Sequence, residues 1–292
     1  MNAPRSDTPW WLLAPLALAC FALGAVVLIA LKFRQEPAMC GPGLLTLGPV
    51  CCVGGQKLVE GRCAGEIVAC PKGMALSKGP NPGCFKENRV VDFKQGRLSL
   101  GPMDWESQGR VEPRSVELKA FSLDALEVTL ARWNKCVKAK SCKPLASATK
   151  AGEPVTQVTP EMAERYCMFV GGRLPTSDEW VFAATGSPAR RYAWGDTGLV
   201  CRRVAYGLVK GPCASGAVGP TLAGSRPSGR TPEGLYDMAG NVAEWTTVGK
   251  NYVARGGSFR STVAQELKAW AGETTKQPSP HIGFRCAYDP PG

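Results

Sequence analysis

Gly171-Gly172-Arg173-Leu174-Pro175-Thr176-Ser177-Asp178-Glu179-Trp180 is the stretch from which the rest of this 292-residue chain is read. The two glycines stop a helix that Thr159 caps and Pro160 opens, with Met162, Tyr166, Phe169 and Val170 as its apolar side. A few residues later Thr176-Ser177-Asp178-Glu179 has the form of a capping box. It opens another helix that runs through Trp180 to Ala184. Two short helices punctuated so closely predict a mixed domain of small elements.

Working outward, Phe121-Ser122-Leu123 and Glu127-Val128-Thr129 read as short strand or strand-end segments. Thr129 is placed to cap a helix carrying Trp133 and Val137 and ending near Lys140. After Gly186 the chain turns irregular for about sixty residues. Tyr252-Val253-Ala254-Arg255 and Ile282-Gly283-Phe284-Arg285-Cys286 read as late strands. The 34 Gly and 24 Pro are roughly a fifth of the chain, against about 12% on average. That density excludes a helical bundle or long coiled coil, and 44% apolar residues exclude wholesale disorder. The fold class is therefore α+β, loop-rich and disulfide-stabilised.

Three regions follow. In residues 1–36 an uncharged run of 22 residues, 10–31, ends at Lys32 and Arg34. As a helix it reaches about 33 Å, enough for a bilayer core of roughly 30 Å, so it reads as a retained single transmembrane helix. Lys and Arg near the run mildly favour a cytoplasmic body. Twelve of the 13 Cys lie beyond it, however, and an even set that large suits an oxidising compartment. The expectation is a single-pass membrane protein with its body in the periplasm or outside the cell. Residues 37–87 form a small Cys-rich module in which Cys40, Cys51, Cys52, Cys63, Cys70 and Cys84 would make three bridges; their connectivity stays open. A zinc knuckle is disfavoured, since the module has neither C-x-x-C pairs nor His. Residues 88–292 carry the remaining six. Cys136 and Cys142 stand six apart at a helix end, Cys201 and Cys213 bracket an irregular loop, and Cys167 is left for Cys286. No thiol is spare for catalysis.

The net charge is +11, nearly all of it on the body, which suggests acidic neighbours such as anionic headgroups or polyanionic glycans. No run exceeds two adjacent basic residues, and with the inferred compartment this argues for no nucleic acid partner. His281 is the one histidine, so sites built from several imidazoles are excluded.

The stretch Gly172 to Trp180 resembles a signature of the formylglycine-generating enzyme, or sulfatase-modifying factor, family. So do Tyr192-Ala193-Trp194-Gly195-Asp196, Gly234 to Val242, Arg255-Gly256-Gly257-Ser258-Phe259 and Gly283-Phe284-Arg285-Cys286-Ala287, in the family's order over roughly residues 97–288. The resemblance implies a formylglycine-generating-enzyme-like variant of the C-type-lectin fold, with loops around a small twisted antiparallel sheet. It also supports the pairing of Cys167 with Cys286. The family's oxidase converts a sulfatase Cys to formylglycine with two thiols that bind copper, and the matching positions here are Ser261 and Glu266. Soft thiolates select Cu(I), so with a hydroxyl and a carboxylate no copper is expected. The family's active-site Trp is replaced by Ala243, while Ser258 matches a family active-site Ser. A related branch that makes sulfoxides uses a His-rich iron site, which one His excludes.

Asp237, Gly240, Val242 and Glu244 match the family's second calcium site, two through side chains and two through backbone carbonyls. A first calcium site finds no match between Arg202 and Gly219. The resulting expectation is a non-catalytic, membrane-anchored pseudoenzyme binding an envelope protein, peptide or glycan. Its groove would be lined by Ser258, Arg260, Ser261, Glu266 and Trp270. The alternatives are a formylglycine-generating oxidase, an accessory maturation factor for an exported enzyme, or an envelope-organising protein.

Overall fold

The computed structural model describes residues 45–47, 50–52, 55–60, 62–65, 74–77, 83–86, 89–101, 111–145 and 150–290. The uncharged run 10–31, read as a membrane anchor, lies outside them. Among the described residues no helix is long and apolar enough to cross a membrane. The chain divides into two compact units, Met1–Lys72 and Gly73–Gly292. In the first, β1 (Leu45–Leu47) pairs with β2 (Val50–Cys52) and β3 (Lys57–Val59) with β4 (Arg62–Ala64), both antiparallel. A Cys52–Cys63 disulfide ties one hairpin to the other. The pairing of the module's other four cysteines lies outside the described residues.

The second unit begins with the hairpin of β5 (Met74–Ser77) and β6 (Gly83–Lys86). Next come β7 (Val90–Phe93), β8 (Gly96–Leu100), β9 (Arg114–Leu118) and β10 (Phe121–Asp124). Three helices follow, α1 (Leu130–Lys138), α2 (Pro160–Phe169) and α3 (Ser177–Thr185). A long irregular stretch then leads to β11 (Ala243–Val248), β12 (Asn251–Arg255), β13 (Gly272–Glu273), β14 (Ile282–Gly283) and β15 (Ala287–Tyr288). One sheet has the order β15-β10-β7, another β13-β12-β11-β14, and β8 and β9 form a ribbon. β14 runs parallel to β11, so the sheet is not wholly antiparallel as the resemblance implied.

Period-two burial explains the first sheet. Val91 and Phe93 face inward from β7, and Phe93 stacks on its register partner Phe121 at 5.0 Å. Trp180, Val181, Ala183 and Ala184 of α3 fill the same core. A second core forms where Trp133, Tyr166 and Phe284 meet, with ring centroids 5.5–6.2 Å apart. The Cys167–Cys286 disulfide closes this core, and Cys136–Cys142 and Cys201–Cys213 are also formed.

The stretch from Arg173 to Trp180 behaves as its composition requires. Thr176 Oγ1 accepts from the Glu179 N–H at 3.1 Å, and the Thr176 N–H donates to Glu179 Oε2 at 2.8 Å. Arg173 reaches both Glu179, at 2.7 Å, and Asp289, at 2.8 Å, joining the helix start to the chain's last described turn. The hydroxyl of Thr159 caps α2 through Met162, and Gly171 ends it at φ 80°.

Three readings need correction. Glu127 and Val128 form no strand; Val128 instead bonds singly to Phe284 and Val155, and Thr129 makes one isolated bridge to Pro154. α1 ends at Lys138, ahead of the turn in which Lys140 adopts φ 60°. The last strand is broken into β14 and β15: past Gly283 the Phe284 and Cys286 carbonyls accept from Val128 and Asp124, so the chain leaves β11.

Arg285 is fully buried and grips Glu244 through two bonds of 2.6 Å. It also donates to the carbonyls of Asp124 and Tyr236, at 3.0 and 2.8 Å, while Trp180 Nε1 donates to Glu244 at 2.7 Å. Removing one partner of such a pair strands a buried charge. Arg285→Met should therefore cost about 3–5 kcal/mol in urea unfolding. Arg97→Met, which deletes the exposed pair with Glu117, should cost under about 1 kcal/mol.

Candidate functional site

β11, β12 and β13 frame a cavity of about 350 Å³ together with the segment 257–261 and the 3-10 turn Ala264–Leu267. Ser258, Arg260, Ser261 and Glu266, expected in one groove, all line it. Trp270 is not among the lining residues; its carbonyl accepts from Arg255 at 2.9 Å and its Nε1 is buried without a partner. Ala243, where the family has a Trp, forms part of the wall.

The serines are spent on local structure. The Ser258 N–H donates to Ser261 Oγ at 3.0 Å, and the Arg260 N–H donates to Ser258 Oγ at 3.2 Å. Glu266 Oε2 accepts the Thr262 N–H at 3.2 Å. Gly257 sits at φ 65°, and a Cβ there would lie 2.6 Å from the Glu266 carbonyl oxygen, so only glycine lets the loop close over the turn. Arg255 donates to Ser177 and to the carbonyls of residues 269–271, holding the segment that carries the far rim. Burial pushes its guanidinium down to about 10, with Asp178 opposing.

Two ionisable lining residues, Glu273 and His281, escaped the sequence reading. His281 Nε2 lies 3.2 Å from Glu273 Oε2, and its Nδ1 lies 2.6 Å from Ser279 Oγ. The signal was available: the chain's one imidazole directly precedes the Ile282 strand. Its use was hidden because Glu273 arrives from another strand.

Bonded to the 256–259 segment, the turn 237–241 is wound through left-handed residues at Asp237, Gly240 and Asn241. Asp237 Oδ2 accepts the Gly224 N–H at 2.6 Å. Asn241 Nδ2 donates to Glu127 at 3.1 Å, and its Oδ1 accepts from Thr221 at 2.8 Å. Glu127, Asp237 and Glu244 are all buried, with Arg285 and, near Asp237, Arg226 as their cations. Burial first, then the charges of Asp237 and Glu244, pushes the Glu127 carboxyl well above the ordinary range. Burial likewise raises Asp237.

The side-chain donors at the expected calcium position, Asp237 and Glu244, are hard oxygens of the kind a hard cation takes, but the guanidinium groups of Arg285 and Arg226 already offset their charge. Glu244 has little to spare: Oε2 accepts from both Trp180 and Arg285, leaving capacity only on Oε1. Among the described residues no group of three or more His, Cys, Asp and Glu side chains is placed to hold a metal ion. Any cation here would lean on Asp237 and on backbone carbonyls. If it binds, saturating calcium at a hundredfold excess over Kd should add about 2.7 kcal/mol, seen as a higher Tm than in chelator. Asp237→Ala should abolish the difference.

The fold and cavity define a loop-rich, disulfide-closed α+β domain whose central groove sits at the edge of a four-stranded sheet. The family model described as the sulfatase-modifying factor enzyme 1-like domain matches residues 80–290, and the chain belongs to that family. It is 33% identical to the formylglycine-generating enzyme of Mycobacterium tuberculosis over 183 residues, 49% of this chain and 60% of that protein. It is 34% identical to the inactive C-alpha-formylglycine-generating enzyme 2 of Bos taurus over 160 residues, 48% of this chain and 52% of that one. The chain thus spans between half and three fifths of these relatives. Among solved structures, Treponema denticola variable protein 1 aligns with a TM-score of 0.56 at 18% identity, covering 74% of this chain and 99% of that one. PvdO from Pseudomonas aeruginosa aligns at 0.57 and 17%, covering 70% and 94%. At such identities these two show the fold alone.

Proposed function

We propose that this chain is a non-catalytic member of its family, a ligand-binding domain held at a membrane on the extracytoplasmic side. The observation that carries the reading is the pair Ser261 and Glu266 at the family's thiol positions. The Ser261 hydroxyl and one Glu266 oxygen are committed to backbone N–H groups of their own loop. A hydroxyl so engaged is a weak nucleophile, and hard oxygens do not select Cu(I). The inactive relative from Bos taurus supports this reading by its name. The uncharged run at 10–31 and four described disulfides support the anchor and the oxidising compartment.

The groove suits a polar ligand of mixed charge, a peptide segment or a glycan. Exposed Arg260 stands on one part of its lining, with Glu266, Glu273 and His281 on others. Ala243 leaves room that an aromatic wall would fill. Calcium, if held at the Asp237 turn, would act structurally.

The decisive measurement is turnover. Given copper, oxygen, a reductant and a Cys-containing sulfatase peptide, the purified protein should give no formylglycine mass shift. Formylglycine production would establish the oxidase reading instead. Alkylation of the native protein without reduction should label none of the twelve cysteines beyond residue 36. Two reactive thiols would restore a route to copper.

A further inference from the structure

A second cavity, of about 400 Å³, lies between the end of α1 and the face of α2. Lys140, Ser141, Lys143 and Arg165 line it, with Trp133 and Met162 as its apolar part and Glu161 as its one acid. Residues 130–143 contain Arg132, Lys135, Lys138, Lys140 and Lys143 and no Asp or Glu. Arg132 is taken by Asp124 at 2.8 Å. The four lysines and Arg165 are exposed and make no ion pair among the described residues.

The loop presenting these cations is built rather than loose. Cys136–Cys142 closes it over six residues. The Ser141 N–H donates to the Cys136 carbonyl at 3.1 Å, and buried Trp133 Nε1 donates to the Lys143 carbonyl at 3.0 Å. Lys140 sits at φ 60°, a conformation that favours glycine and persists only where the surroundings over-determine it. A lysine stands where glycine would sit more easily.

We propose that this cavity binds an acidic glycan, one bearing carboxylate or sulfate groups. Its volume admits about one or two sugar rings, and three cations, Lys140, Lys143 and Arg165, stand in its lining. Concavity argues against a membrane surface as the partner, since Trp133 is buried and Met162 half-buried, leaving no lining apolar side chain to insert. The same burial of Trp133 removes the exposed stacking face that single-stranded nucleic acid would use. The site is separate from the groove at Ser258, so it stands or falls independently of the reading given for that groove.

The test is calorimetric titration of the full chain, kept in neutral detergent, with a heparin hexasaccharide. Binding should weaken as salt rises and should be absent with a neutral dextran oligomer. Lys140→Glu with Lys143→Glu should lower affinity at least tenfold, and so should Arg165→Glu. Lys57→Glu, on an exposed strand of the other unit, should change it less than twofold. Lys140→Gly separates binding from folding: Tm should hold or rise while affinity falls. No binding, equal binding of the neutral oligomer, or indifference to the Lys140, Lys143 and Arg165 changes would each overturn the proposal. So would phosphatidylglycerol vesicles binding more tightly than the hexasaccharide through these same residues.

Discussion

A single guanidinium organises this domain. Arg285 is sealed from water, and its nitrogens reach three separated parts of the chain, Glu244 on β11, the Asp124 carbonyl at the end of β10 and the carbonyl of Tyr236; through Glu244 the indole of Trp180 on α3 joins them. A charge placed there is tolerable only because every neighbour supplies an acceptor in a fixed direction. The long irregular segment between α3 and β11 lacks a ladder of its own. It is fixed instead by point bonds such as Asn241 to Thr221 and Gly224 to Asp237, which converge on the same buried polar layer.

The groove adjoins that layer through β11, where Ala243 lines the groove and the next residue, Glu244, holds Arg285. The fold depends on Glu244, Arg285, Asn241 and the left-handed turn at 237–241, none of which is a reacting group. The positions that would carry copper lie on a separate loop, where Ser261 and Glu266 now satisfy local backbone donors.

Much of this was legible in the sequence where local physics decides. Capping of α2 and α3 followed from Thr159 and Thr176, and three disulfides followed from spacing and remainder. Four of the five groove residues implied by the family resemblance line the cavity together, since they lie within nine positions of one another beside a tight glycine turn. Trp270 failed because an aromatic's direction depends on which segment holds its backbone, here Arg255. Glu273 and His281 were invisible for a related reason: their proximity is created by β13 and β14 flanking the same pair of strands. The split of the last strand was missed too, since apolar alternation through Ile282, Phe284 and Cys286 does not show that the carbonyls of Phe284 and Cys286 bond to Val128 and Asp124.

The sheet order carries a consequence for biosynthesis. β14 completes the four-stranded sheet and β15 the three-stranded one, so seven residues, 282–288, are shared by both. Cys286, within that span, is also the distant end of a link to residue 167, 119 positions earlier. Neither sheet can close while a ribosome or translocation channel still holds this tail, and the slow non-local pairings come last. Until that span is free, both sheets stand one strand short, and a single late segment completes the two together.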